Sequence, residues 1–359
     1  MTDKQPTIYD VAREAGVSIA TVSRVMSGGS ASAKSRARVE EAIARLRYYP
    51  SQSARGLEKR ETRTFALVVT DLINPYYTAL CAGAEAEAAR LGYSLQVYCT
   101  TGGRQSVLSR LLQHPVDGAV LVGGFIEDSD ASFPPSDHQE VRDAILKSSL
   151  ALHKAMPLVT IGPPIEGLSC VNITSDLSLS IRKSISHLNT LGHRRIAFIG
   201  GSASVRSATI RESAFFQEME ARGLPPLHDT RTETGFTPQA GELCVTKLFA
   251  RVDPAQRPTA LIAINDLVAM GALHQLKRMG LRVPEDVALI GCDNQFFTPF
   301  LNPSLTTVDL HPFDHGQCAV SELAAICSGS ESLAFSQIRE CSLIVRESCG
   351  AALGVRSFD

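Results

Sequence analysis

Val11, Ala15, Val17, Val22 and Val25 recur at helical spacing, so two short helices should lock at a fixed angle and leave Ile19, Ala20, Thr21, Ser23 and Arg24 projecting from the second. A helix that offers a guanidinium, hydroxyls and small apolar groups on one face fits the major groove of a DNA duplex. A guanidinium on such a face could donate two hydrogen bonds to one guanine, worth roughly 1 to 3 kcal/mol against a wrong base. The same unit could instead serve protein contact, with Arg24 merely solvated.

Catalytic constellations do not assemble. No two glycines are separated by a single residue, which removes both the G-x-G-x-x-G dinucleotide loop and the G-x-S-x-G nucleophile elbow, and no lysine follows a glycine-rich turn as in a phosphate-binding loop. His311 and His315 have the spacing of a helical metal pair, but Pro312 is expected to break that helix, so no metal site is expected. The nine cysteines are odd in number, scattered and without a C-x-x-C pair, which argues against a disulfide framework or zinc site. No cofactor is implied.

The elements that must carry these groups divide the chain. The first 60 residues hold 11 basic against 6 acidic groups and the remaining 299 hold 24 against 31, so a basic head precedes an acidic body. Apolar residues in the head form three helical blocks: Ile8, Val11, Ala12 and Ala15; Val22 and Val25; Val39, Ile43 and Leu46. Gly16 is placed to end the first block in left-handed geometry, Ser18 to cap the second, and Pro50 to close the third. Ser51 to Arg63 reads as a basic hinge. Beyond Thr64, near-continuous apolar runs alternate with helical segments: Phe65 to Val69, Leu95 to Tyr98, Ala119 to Val122, Leu158 to Ile161, Ile196 to Ile199, Ala260 to Ala263 and Val287 to Ile290. That alternation implies parallel sheets covered on both faces, and the length of nearly 300 residues implies two lobes with a ligand crevice at the strand carboxyl ends. The segment Phe125 to Met156 reads as a loop followed by a helix around Val141 to Leu152. The polar start and the lack of any apolar run of membrane-spanning length point to a soluble, reduced, cytoplasmic protein with no membrane partner.

The run Thr7-Ile-Tyr-Asp-Val-Ala-Arg-Glu-Ala-Gly-Val-Ser-Ile-Ala-Thr-Val-Ser-Arg-Val25 resembles the headpiece of the lactose-repressor family almost position for position. The resemblance implies that Ile19, Ala20 and Arg24 touch base edges, while Tyr9, Ser18, Thr21, Ser23 and Tyr48 grip phosphates and fix register. Tyr48-Tyr-Pro-Ser-Gln-Ser-Ala-Arg-Gly-Leu57 resembles the family's hinge, whose short helix enters the minor groove with Leu57 as an apolar wedge; ordinary packing against the body is the other reading of Leu57. Ser51 stands where asparagine is common and Gly56 lowers helix propensity, so hinge ordering should be weaker.

The body resembles the same family through Asp71-Leu-Ile-Asn-Pro-Tyr-Tyr77, Leu191-Gly-His-Arg-Arg-Ile-Ala-Phe-Ile199, Asn265-Asp266, Val283-Pro-Glu-Asp-Val287, Gly291-Cys-Asp293 and Leu305-Thr-Thr307. This implies Asn74, Tyr76, Tyr77, Arg211, Phe236, Asn265 and Asp293 as effector-binding residues. Arg, Asn and Asp would serve adjacent hydroxyls and the aromatic rings a flat C–H surface or a nucleobase. Each has a plainer reading: Asn74 as a helix cap, Asp293 binding backbone amides, Arg211 in a structural ion pair, Tyr76, Tyr77 and Phe236 as core. Asn294 occupies a place often acidic in the family.

The expected fold is an α/β body of two doubly wound parallel-sheet lobes, like a periplasmic binding protein, behind an all-α helix-turn-helix headpiece. The expected domains are a headpiece at 1–50, a hinge at 51–63 and a body at 64–359, with lobe 1 about 64–172 plus 295–325 and lobe 2 about 173–294 plus 326–359. The expected function is a sequence-specific transcriptional regulator, a repressor in its usual form, that binds operator DNA as a homodimer and is controlled by a sugar or related metabolite. Ligand-activated regulation is the alternative. A tail without heptad leucines favours a dimer over a dimer of dimers. A transport-type sugar-binding protein, or an enzyme with a docking bundle, would need a signal peptide or catalytic groups respectively.

Overall fold

The computed structural model describes residues 6–26, 29–46, 48, 62–100, 104–123, 138–203, 205–225, 235–330 and 336–353. These fall into two compact units, Met1–Arg63 and Thr64–Asp359.

Among the described residues the head has three helices: α1 (Ile8–Ala15), α2 (Ile19–Met26) and α3 (Ala33–Leu46). The Asp10 carboxylate accepts the Thr7 N–H at 2.9 Å and its hydroxyl at 2.6 Å, which fixes the first turn of α1. Gly16 ends that helix at φ 60°, and the Val17 N–H then reaches the Ala12 carbonyl at 3.1 Å, so the chain reverses within two residues. Val11, Ala15, Val22, Val25, Val39 and Ala42 form the core against which Ile8, Val17, Ile43 and Leu46 pack.

Among the described residues the body holds two sheets. The first has strand order β10-β5-β4-β3-β1-β2, with β1 Thr64–Val69, β2 Ser94–Cys99, β3 Gly118–Val122, β4 Leu158–Ile161, β5 Val171–Ser175 and β10 Ser336–Arg339, all neighbours parallel. The second has order β11-β9-β8-β7-β6, with β6 Ile196–Ile199, β7 Ala260–Ala263, β8 Ala288–Cys292, β9 Thr306–Asp309 and β11 Ser342–Ile344; only β11 runs antiparallel. Period-two alternation explains why the central strands look continuously apolar. Phe65, Leu67 and Val69 enter the core on one face of the first sheet, whereas Ala66 and Val68 enter that on the other.

Helix α4 (Pro75–Arg90) and α11 (Pro312–Cys327) cover the first face. They touch backbone to backbone: a Cβ on Gly83 would strike the Phe313 carbonyl, and one on Gly316 would strike that of Leu80. In the second lobe α9 (Pro238–Arg251) and α10 (Asp266–Arg278) meet the same way through Gly241 and Gly271. The helix expected around Val141 to Leu152 is α6, His138–Ala155, after α5 (Arg104–Gln113).

Among the described residues the chain changes lobe three times, at boundaries that differ from those expected from the sequence. After β5 it passes into α7 (Leu177–Thr190), whose Ile181, Ile185 and Leu188 join the second core. Residues 295–309, assigned above to the first lobe, belong to the second, because β9 pairs with β8 and β11. The return comes only at α11, and β10, assigned to the second lobe, pairs with β5 of the first. The short strands concerned, Thr-Thr-Val-Asp and Ser-Gln-Ile-Arg, lack the apolar run that marked the others. Pro312 opens α11 at its first turn instead of breaking a helix, and His311 lies outside it at φ 55°.

Candidate DNA-reading face and effector crevice

In the head, burial alternates around α2 as the spacing requires: Val22 and Val25 are buried while Ile19 is 40% exposed and Ala20, Ser23 and Arg24 are exposed. Tyr9 on α1 is 64% exposed. Three of the expected phosphate-contact residues, Ser18, Thr21 and Tyr48, already make contacts within the head. The Ser18 oxygen accepts the Thr21 N–H at 3.2 Å and lies 2.9 Å from the Thr21 hydroxyl, capping α2. Tyr48 packs against the head core and its N–H reaches the Ile43 carbonyl. Leu57 and the hinge segment 51–61 lie outside the described residues.

In the body, Asn74, Asn265 and Asp293 follow strand carboxyl ends, where an open α/β sheet leaves its crevice, while Arg211 lies on a helix and Phe236 just before α9. Asn74, after β1, accepts the Tyr76 N–H at 3.0 Å and caps α4, so its carbonyl oxygen is spent on the fold. Tyr76 and Tyr77 meet edge to face at 5.4 Å, and the Thr70 hydroxyl donates to that of Tyr77. Tyr76 also packs on the small cluster of Leu177, Cys292, Val308, Leu310 and Cys341. Burial, with Asp293 nearby, pushes its phenol above the ordinary value.

The second lobe supplies the charges. Arg211, on α8 (Arg206–Ala221), is buried; one guanidinium nitrogen donates to the Ile264 carbonyl at 3.0 Å, while Nε has no partner among the described residues. Asp293 is buried at φ 108°, and burial lifts its carboxyl to about 7 against the pull of Arg211. Asn265 is 2% exposed; its oxygen caps α10 through Val268 and its nitrogen holds the Phe236 carbonyl at 3.1 Å. The Phe236 ring lies over Gly201, where a Cβ would crowd it. Asn265 thus shapes the wall that Phe236 lines.

A polar network behind Asp293 escaped the site reading. Asp266, 0% exposed, accepts the Thr307 hydroxyl at 2.6 Å and the Gln295 N–H at 2.8 Å, and burial holds its carboxyl well above the usual range. Its signal was present in the motifs Asn265-Asp266 and Leu305-Thr-Thr307, which marked the family without assigning these side chains a task. Among the described residues no group of three or more His, Cys, Asp or Glu could hold a metal.

Residues 7–51 match the family described as bacterial regulatory proteins, lacI family, and residues 185–349 match the periplasmic binding protein-like domain. The transcriptional repressor CytR of Escherichia coli K12 is 30% identical over 351 residues, 96% of each chain. The chain belongs to the LacI family of bacterial regulators. Another relative, the regulator DegA of Bacillus subtilis, is 32% identical over 308 residues, 84% of this chain and 86% of its own. The Lac repressor dimer bound to operator and an anti-inducer superposes with a TM-score of 0.80 at 25% identity, covering 96% of this chain and 99% of that one. This LacI-family member is therefore a DNA-binding transcriptional regulator with an effector-binding body. Among the described residues no helix is long and apolar enough to cross a membrane.

Proposed function

We propose that this regulator is a cytoplasmic, non-enzymatic repressor that binds operator DNA as a homodimer and releases it when a small metabolite, a sugar or related ring compound, closes the two lobes. The observation that carries the DNA half is the exposure of Ile19, Ala20, Ser23 and Arg24 on α2 above a closed head core. Ile19, Ala20 and Arg24 read bases. Tyr9 and Ser23 hold phosphates, joined by Ser18, Thr21 and Tyr48 to the extent that their internal contacts leave acceptors or donors over. Leu57 serves as the minor-groove wedge.

For the effector half, Arg211 and Asp293 present a donor and a carboxyl from one lobe, Tyr76 and Tyr77 a rim from the other, and Phe236 a flat face. Asn74 and Asn265 act by shaping these walls. Phe296 and Phe300, 76% and 84% exposed on the second lobe, form an apolar face for the second copy. The test is a thermal-shift screen of the full-length chain against sugars and nucleosides, followed by operator binding with each hit. A hit that stabilises the chain and weakens operator binding supports the reading; one that strengthens binding makes the metabolite a corepressor, and the release mechanism is then wrong.

A further inference from the structure

Two of the four non-glycine residues with left-handed backbone among the described residues, Asn294 (φ 49°) and His311 (φ 55°), lie on one chain of hydrogen bonds, and a third, Asp293 (φ 108°), directly precedes Asn294. Such backbone costs energy and persists only where the surroundings hold it. The holding chain runs from Arg346, which donates to Asn294 Oδ1 at 2.8 Å, through Asn294 Nδ2, which donates to Asp309 Oδ2 at 2.9 Å, to the His311 N–H, which donates to Asp309 Oδ1 at 2.7 Å. Arg346 is itself fixed to the Leu305 carbonyl at 2.7 Å. Asp309 ends β9, immediately before the chain leaves the second lobe for α11 of the first.

We propose that Asn294 is the positioning residue of the effector site: its carboxamide, clamped between Arg346 and Asp309, aims the Asp293 turn and couples it to the lobe crossover at His311. That Asp293 meets the effector rests on the function proposed above; the clamp itself does not.

Hydrogen-bond polarity makes the proposal specific. Arg346 and the His311 N–H can only donate, so the two side chains between them must supply two acceptors outward and one donor–acceptor pair inward. Asn294 with Asp309 satisfies this. So does the reverse order, Asp at 294 with Asn at 309. Two carboxylates at these positions would face each other, and two carboxamides always leave one donor facing another donor. An acid at 294, common in the family, is thus excluded here by Asp309.

The experiment uses the unliganded full-length chain and its variants Asn294→Asp, Asp309→Asn and the double exchange, with amide hydrogen exchange read over 293–295 and at His311. Each single variant should speed exchange there at least tenfold, and the double exchange should return it to within threefold of wild type. Single variants within threefold of wild type, or a double exchange no slower than the singles, would overturn the proposal. Urea unfolding of all four proteins separates local loosening from global loss of stability. No effector is added, so failure of the effector reading shows separately, as an Asp293→Asn protein that keeps its thermal-shift response.

Discussion

Arg211 donates to the Ile264 carbonyl at 3.0 Å, a bond that turns the guanidinium edge back into its own lobe and leaves Nε buried with no partner among the described residues. A buried donor left unpaired is costly, and a ligand oxygen placed there recovers the loss. Arg211→Lys should therefore weaken effector binding by roughly 10- to 100-fold, since an ammonium cannot reach both positions. Calorimetry with the strongest metabolite from the screen measures it, and unchanged affinity would remove Arg211 from the site.

Asp293 sets a pH dependence with a definite sign. Its carboxyl rises from an ordinary 3.8 to about 7 in the folded chain, so the native state holds a proton that the unfolded state has released. The contribution to stability is complete below pH about 4 and is lost as pH rises through about 7. Melting temperatures of the unliganded protein across that window should fall less steeply in Asp293→Asn than in wild type. Parallel profiles would contradict the assignment.

Glu87 works in the opposite direction. It receives Arg90 at 2.7 and 2.8 Å and the Ser321 hydroxyl, and these bonds hold its carboxyl near 2 in spite of burial. Its stabilisation is present above pH about 4.5 and fades as pH falls towards 2. Glu87→Gln should lower the melting temperature at neutral pH and remove part of the acid limb of the profile. The Ser321 bond joins α4 to α11, so the loss should reach the first lobe as a whole.

The helix-turn-helix and the central strands were legible because apolar spacing alone builds them, and Val22, Val25 and Phe65 to Val69 are buried as that spacing requires. The lobe assignment of Thr306–Asp309 and Ser336–Arg339 was not, because these strands are short and polar and are defined by partners more than a hundred residues away or by side-chain bonds such as Thr307 to Asp266. The sequence motifs placed Asn74 and Asn265 near the crevice and offered the helix cap that Asn74 makes, but gave no sign that Asn265 caps a helix as well.

The head should be easy to melt on its own. Its core is small, so Val22→Ala, at a fully buried position, should cost about 2 kcal/mol and unfold a measurable fraction of heads. Hydrogen exchange over residues 8–46 would accelerate while the strands of the body stay protected. Equal acceleration in both units would contradict their independence.

A charged group on the exposed aromatic face should separate the copies. Phe296→Asp with Phe300→Asp removes two exposed rings and should shift the sedimentation coefficient towards the monomer without changing the circular dichroism spectrum. Dimers that persist unchanged place the interface elsewhere.

The most direct test of the central claim is titration of the full-length chain and its Arg24→Ala variant against fragments of the DNA upstream of its own gene, at two salt concentrations. Wild type should select one fragment in a salt-sensitive complex, and Arg24→Ala should bind that fragment roughly 10- to 100-fold more weakly while keeping its affinity for unrelated DNA. Equal selectivity in the two proteins, or no preferred fragment for wild type, would contradict the reading of this head as the sequence-reading module.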